Sequence, residues 1–136
     1  MNANDLNGPV IGFNHVNLHV DDLPAAQQFY GHGLGLVELD RPGGIGTGLW
    51  YAVGSLQLHL SLVTAMPPGS EAATTHIALQ LPADSFDDCV NAIEARGVTL
   101  TRRPQSREQL GDTVRSAFCR DPANNLIELT DVGPLD

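Results

Sequence analysis

The sequence predicts an α+β fold in which two βαβββ modules form a curled mixed sheet around a cleft. Three observations lead there. Short segments alternate apolar and polar residues with period 2, the mark of half-buried strands. In each half, a segment with apolar residues at helical spacing follows directly on the first strand. The order strand, helix, strand, strand, strand then occurs twice along 136 residues. At 42% hydrophobic and 17% charged, a chain of this length supports one domain with its own core. The expected division is a tail over 1–10, a first module over 11–63, a linker over 64–73, a second module over 74–131 and a tail over 132–136.

The first strand is read over 13–20, where Val16, Leu18 and Val20 face one way and His15, Asn17 and His19 the other. Asp21 and Asp22 end it and supply a cap for a helix over 23–32, with Pro24 in the first turn and Ala26, Phe29 and Tyr30 on the apolar side. Gly33 and Gly35 stop that helix. A short strand over 36–39 precedes a glycine-rich loop over 41–48, which lacks the Gly-Lys-Ser/Thr and the following helix of a phosphate cradle. Strands over 49–53 and 56–62 form a hairpin across Gly54-Ser55. In the second of them Leu56, Leu58, Leu60 and Leu62 oppose Gln57, His59 and Ser61.

After the linker, with its Pro67, Pro68 and Gly69, the pattern restarts. A strand is read over 76–81 and a helix over 82–96, with Phe86, Val90 and Ile93 on one side and Gly97 after its end. A strand over 98–101 leads into a polar loop over 103–112. Strands over 113–119 and 125–130 then form a second hairpin across Asp121-Pro122-Ala123-Asn124. The loops over 41–48 and 103–112 are candidate lids.

Seven Lys+Arg against sixteen Asp+Glu give a formal charge of -9, which weighs against nucleic acid and against an anionic membrane surface as partners. No apolar run approaches the ~20 residues of a membrane span, and the polar N-terminus lacks a secretory pattern. Cys89 and Cys119 fall in an expected helix and strand among apolar neighbours and are read as reduced, buried thiols. These features predict a soluble, cytoplasmic protein that acts on a small molecule.

The repeat places the residues that bear chemistry. His15 and His76 share one position in the first strand of each half, 61 residues apart; His59 and Glu128 share one position in the last strand, 69 apart. All four lie on polar strand faces, opposite the faces that pack on helices. Two modules curled toward each other direct them into one cleft. Three imidazoles and a carboxylate suit a divalent first-row metal, with Ni, Zn, Mn, Co and Fe all compatible. Four ligands on an octahedral ion leave two positions for water or substrate. His15, His59, His76 and Glu128 are therefore the candidate metal ligands. Asn17, His19, Trp50, Gln57, Ser61 and Arg115 are candidate pocket residues, with Tyr51 and Phe118 as further aromatics near it. The pattern does not decide which of Arg115 and Arg120 faces the cleft. His32 ends a helix, where a cation suits the dipole, and is given no chemical role.

These residues resemble the vicinal oxygen chelate superfamily, which includes glyoxalases, bleomycin resistance proteins, extradiol dioxygenases and fosfomycin resistance thiol transferases. The resemblance spans about residues 11–131 and rests on His15-Val16-Asn17-Leu18-His19-Val20-Asp21-Asp22, on Phe29-Tyr30 before Leu34-Gly35-Leu36, on His76-Ile77-Ala78-Leu79 and on 121–129. It implies paired modules around a cleft, a homodimer with sites shared between chains, and metal positions at His15, His59, His76 and Glu128. Glyoxalases similar to this chain usually carry glutamate where His59 stands and arginine near His19. Both departures weigh against lactoylglutathione as substrate.

The leading expectation is a divalent-metal-dependent, glyoxalase-like enzyme with lyase, isomerase or thiol-addition chemistry on a small oxygen-rich substrate, and with Glu128 as general base. Two alternatives stand beside it. His15, His76 and Glu128 alone make the two-His, one-carboxylate set of an Fe(II) dioxygenase. A resistance protein that binds a drug without chemistry is the other.

Overall fold

The computed structural model describes residues 8–69, 74–106 and 114–132. The first half contains β1 (His15–Val20), α1 (Leu23–Gln27) continued by a π-helical turn (Gln28–Gly33), β2 (Val37–Leu39), β3 (Gly48–Val53) and β4 (Leu56–Leu62). The second contains β5 (His76–Gln80), a 3-10 turn (Ala83–Ser85), α2 (Phe86–Ala95), β6 (Leu100–Ser106), β7 (Arg115–Arg120) and β8 (Leu126–Thr130). Two four-stranded mixed sheets result, ordered β1-β4-β3-β2 and β5-β8-β7-β6. In each, the first strand runs parallel to the last, and the remaining pairs are antiparallel. The expected α+β fold of two βαβββ modules is present, as two curled sheets.

Local chemistry accounts for the elements. The Asp22 side chain accepts a hydrogen bond from Ala25 N at 3.0 Å and so caps α1, with Pro24 in the first turn. The helix expected over 23–32 widens after Gln27: Leu34 N donates to Phe29 O at 2.9 Å, a five-residue closure. That wider turn carries the buried side chains of Phe29 and Tyr30. Gly48 opens β3 against β4, where a β-carbon would overlap the Leu60 carbonyl oxygen. Only glycine lets the strands close at that point.

Several boundaries differ from expectation. β1 begins at His15, and Phe13 is exposed. The helix read over 82–96 begins with a 3-10 turn before α2. β6 runs through residues expected to be loop. It is the edge strand, its side chains are mostly exposed, and register shifts interrupt its pairing with β7, so period-2 alternation is lost. Pro104 is tolerated there because an edge strand need not donate every amide. The remainder of the loop, 107–112, lies outside the described residues, as do 70–73 of the linker and 1–7 and 133–136 of the tails.

The apolar faces of both sheets meet in a single core that includes Val20, Tyr30, Tyr51, Leu58 and Leu60 from the first half and Ile93, Val98, Ala117, Ile127 and Leu129 from the second. Both cysteines are free; Cys119 is buried, and Cys89 is half-buried against Ser85 Oγ. No helix among the described residues is long and apolar enough to cross a membrane.

One buried polar network ties the halves together. The Tyr30 hydroxyl donates to Asp121 Oδ2 at 2.6 Å, and Asn125 donates to both carboxylate oxygens of Asp121 through its backbone and side-chain nitrogens at 2.8 Å. The Asn125 amide also donates to His19 O in β1 at 2.9 Å. Burial, and then the Asp121 charge, push the Tyr30 phenol far above its ordinary value, so it stays a donor.

Two stability outcomes follow. Tyr30→Phe removes one donor from a buried carboxylate and lowers the unfolding free energy by about 1–3 kcal/mol, read from urea midpoints at unchanged slope. Gly48→Ala forces β3 and β4 apart and lowers thermal stability more than Gly54→Ala does, although Gly54 has a positive φ, because a β-carbon at Gly54 meets no atom within 4 Å.

Candidate functional site

β1 and β4 run side by side with Asn17 opposite His59 and His15 opposite Gln57, so the two histidines are diagonal neighbours on one face. Their rings stack with centroids 4.1 Å apart at 18°. Trp50, opposite His59 across β3 and β4, stacks on the other side of that ring at 4.1 Å and 5°. His59 is thus held between two flat faces. Its Nε2 lies 2.8 Å from Gln57 Oε1, and His15 Nδ1 lies 2.8 Å from Asn14 Oδ1. An amide oxygen only accepts, so these nitrogens carry the protons. The lone pairs are left on His59 Nδ1 and His15 Nε2. Burial first, then the nearby His15 and Arg41, lowers the His59 pKa below its ordinary value and favours the neutral, ligating form.

The second sheet repeats this register. β5 and β8 place Ala78 opposite Glu128, which makes His76 and Glu128 the diagonal pair. His76 Nδ1 donates to Thr74 O at 2.7 Å, and its Nε2 faces Glu128 Oε1 at 3.9 Å. Phe118 stands opposite Glu128 across β7 and β8, and its ring meets His76 edge-on at 5.9 Å. Phe118 is therefore the second-half counterpart of Trp50.

Each imidazole has one nitrogen hydrogen-bonded to an oxygen and the other free to ligate, as is usual for metal-bound histidine. The donor set fits a divalent first-row ion. Within one chain, however, it is divided: His15 meets His59 and His76 meets Glu128, and among the described residues no three His, Cys, Asp or Glu side chains converge.

Of the pocket candidates, Asn17, Gln57, Ser61 and Trp50 share the His15 and His59 face, and Ser61 Oγ donates to Asn17 Oδ1 at 2.9 Å. His19 extends that face toward Asn125 through its carbonyl. Arg115 does not belong with them. It is held on the helix side of its sheet by Asp131 Oδ2 at 2.9 Å, Asp87 Oδ2 at 3.2 Å and Ala83 O at 2.6 Å, over the Phe86 ring. Strand alternation puts residues 115, 117 and 119 toward α2 and Phe118 and Arg120 on the Glu128 side. Tyr51 likewise turns into the core. Arg102 was not legible as a site residue because the strand was expected to end at Thr101 and a loop to begin at Arg103, whereas β6 runs to Ser106. The extra residue between Leu100 and Arg102 sets Arg102 opposite Phe118, with its guanidinium 5.5 Å from the ring centre.

A separate groove of about 910 Å³ runs between the β3–β4 turn and β5. It is lined by residues such as Leu36, Val53, Leu79 and Ile93, and none of its lining side chains titrates. It offers apolar contact rather than acid–base chemistry.

The profile of the Glyoxalase/Bleomycin resistance protein/Dioxygenase superfamily matches residues 12–129. Comparison with curated protein sequences finds no match. Among solved structures, a glyoxalase/dioxygenase from Nostoc punctiforme superposes with a TM-score of 0.76 at 23% identity, covering 95% of this chain and 96% of that one. The fosfomycin resistance protein FosX from Listeria monocytogenes superposes with a TM-score of 0.71 at 25% identity, covering 91% and 94%. A FosX variant complexed with Mn(II) and 1S,2S-dihydroxypropylphosphonic acid gives a TM-score of 0.73 at 22% identity, covering 93% and 95%.

The lowered His59 pKa has a defined sign. The folded state disfavours the protonated ring, so this group's contribution to stability is complete above the ordinary value of 6.5 and is lost as pH falls through the lower folded value. In the metal-free protein, an NMR titration is expected to place the His59 midpoint below 6.5. The pH dependence of the unfolding temperature below that value is expected to weaken in His59→Gln. A midpoint at or above 6.5 contradicts the packing described for this ring.

Proposed function

The chain belongs to the Glyoxalase/Bleomycin resistance protein/Dioxygenase superfamily, and from that premise we propose that it is a divalent-metal-dependent, glyoxalase-like enzyme acting on a small oxygen-rich substrate. One observation carries this reading: at equivalent positions of the two halves stand two pairs of ligand-capable side chains, with every imidazole already oriented by an oxygen on its far nitrogen. The Mn(II) and diol-phosphonate held by the FosX variant of the same fold are consistent with it.

His15, His59, His76 and Glu128 are the residues that would hold the ion. Because one chain presents them as two separate pairs, the full set is assembled in a homodimer, with His15 and His59 from one protomer and His76 and Glu128 from a second copy. A bound divalent ion would supply Lewis-acid stabilisation of the negative charge that develops on substrate oxygen.

The chain's own groups do the rest. As general base, Glu128 takes the proton lost in the reaction: from the carbon beside the substrate oxygen in isomerase or lyase chemistry, or from the thiol in thiol addition, where the oxygen that gains the charge then takes it up. The Trp50 and His15 faces fix the plane of His59, so its lone pair keeps one direction. Asn17 and Ser61 present a hydrogen-bonding edge beside that pair. Three neutral imidazoles and one carboxylate leave the loaded site with about one positive charge, an attractor for anionic or enolisable oxygens in a chain of net charge -9.

Metal analysis after supplementation is expected to find about one divalent ion per protomer, with His15→Ala and Glu128→Ala each losing it. Refolding an equimolar mixture of these two variants is expected to restore about a quarter of the wild-type sites, because random pairing gives half heterodimers with one intact site each. No metal in the parent protein ends the metal reading. Metal in the parent without restoration in the mixture ends the shared-site arrangement. Oxygen uptake with catechols under Fe(II) would assign the protein to the dioxygenases instead; turnover of a hemithioacetal, or of fosfomycin with a thiol, would keep it with the glyoxalase-like enzymes.

A further inference from the structure

All seven Lys and Arg side chains of this acidic protein are arginines. Among the described ones two are paired with carboxylates, and Arg41, which donates to the Gly46 and Ile45 carbonyls, is not. Arg103 is paired with Glu94 in two bonds of 3.0 and 2.9 Å, and Arg115 is paired with Asp131 and Asp87. Arg102 and Arg120 have no carboxylate partner among the described residues: Arg102 lies over Phe118, and Arg120 Nη1 donates to the Asn124 carbonyl at 2.9 Å. These two line one pocket of about 260 Å³ with Thr101, Phe118 and Leu126.

Three features shape this recess, which is open to solvent on the Arg102 side. The irregular pairing of β6 with β7 sets Arg102 across from Phe118 instead of leaving it at the regular position. The Phe118 ring lies against one guanidinium, holding a planar fork of donors in place. The Arg120 guanidinium is tied at one nitrogen, which leaves its other donors for a ligand. The volume suits a compact group such as a carboxylate, phosphate or phosphonate, and is too small for a nucleotide.

The position of the pocket gives its meaning. Phe118 stands directly opposite Glu128, and Arg120 is opposite Leu126, two residues before Glu128 on the same strand. Side chains opposite one another across antiparallel strands are about 5 Å apart. We propose that Arg102 and Arg120 form a subsite for an anionic head group, so that the substrate carries a carboxylate, phosphate or phosphonate a few bonds from the oxygens that react beside Glu128. This specificity deepens the metalloenzyme reading and rests on it for the reacting end; the anion subsite itself does not need the metal.

The test uses the full-length, metal-free protein at low ionic strength, where charge interactions are least screened. Inorganic phosphate, methylphosphonate and acetate are titrated in turn while the arginine side-chain NH signals are followed by NMR. Saturable shifts of Arg102 and Arg120, weakened about tenfold or more in Arg102→Gln and in Arg120→Gln and unchanged in Arg103→Gln, support the subsite. The ranking of the three probes tells a phosphorus head group from a carboxylate. Shifts that do not saturate, or that survive both substitutions, overturn it. Metal content is measured on the same variants. Anion binding lost in Arg102→Gln with metal retained separates the subsite from the metal centre, whereas a parent protein that binds anion but no metal keeps the subsite and removes the metalloenzyme reading.

Discussion

The buried carboxylate of Asp121 holds the two halves of this protein in register. A carboxylate taken out of water is costly unless its lone pairs are filled. Here the Tyr30 hydroxyl and two Asn125 nitrogens fill them, and Asn125 also reaches β1 through the carbonyl of His19. The network therefore joins the turn between β7 and β8 to the first helix and the first strand. Both pairs of candidate ligands hang from the elements it connects, with β1 carrying His15 and β8 carrying Glu128. The same burial, aided by Asp121, pushes the Cys119 thiol up to about 12, which keeps that cysteine protonated and unreactive beside the network.

Around that joint the two halves carry one device in two chemical versions. In each sheet the first and last strands run parallel and set a pair of candidate ligands on the diagonal; in each, an aromatic residue of the neighbouring strand stands opposite the second of them, Trp50 against His59 and Phe118 against Glu128. An arginine accompanies each aromatic, Arg41 at 6.0 Å and Arg102 at 5.5 Å. The difference between the halves is charge. The first pair is two stacked imidazoles, and burial, with His15 and Arg41 nearby, lowers the His59 pKa. The second pair holds the carboxylate, and Phe118, opposite Glu128, also lines the recess of Arg102 and Arg120. The duplicated register thus carries two imidazoles in one half and an imidazole with a carboxylate in the other.

Much of the architecture was legible in the sequence because a half-buried strand must alternate. His15-Val16-Asn17-Leu18-His19-Val20 and the leucine series of β4 have one register that buries the apolar set, and the structure adopts it. The repeat was legible for the same reason, and with it the four side chains on the polar faces. Legibility failed where burial stopped constraining the chain. β6 is an exposed edge whose polar residues read as loop, so the bulge that aims Arg102 could not be foreseen. Arg115 fell on the wrong face in the expectation because both sides of β7 carry arginine, and only the packing of α2 shows which side is covered.

The sequence by itself determined the module, its duplication and the identity of the candidate ligands, since these follow from hydrophobic periodicity along short stretches and from equivalence between the halves. The tertiary structure decided how the pieces meet: that Tyr30 reaches across the molecule to Asp121, that the candidate ligands stand as two pairs in one chain, and that Arg102 and Arg120 share a recess while Arg115 does not. Periodicity states which face of a strand is buried. Which two buried or exposed faces come together depends on side-chain volume, bulges and polar satisfaction across long separations, and those are settled only when the chain packs.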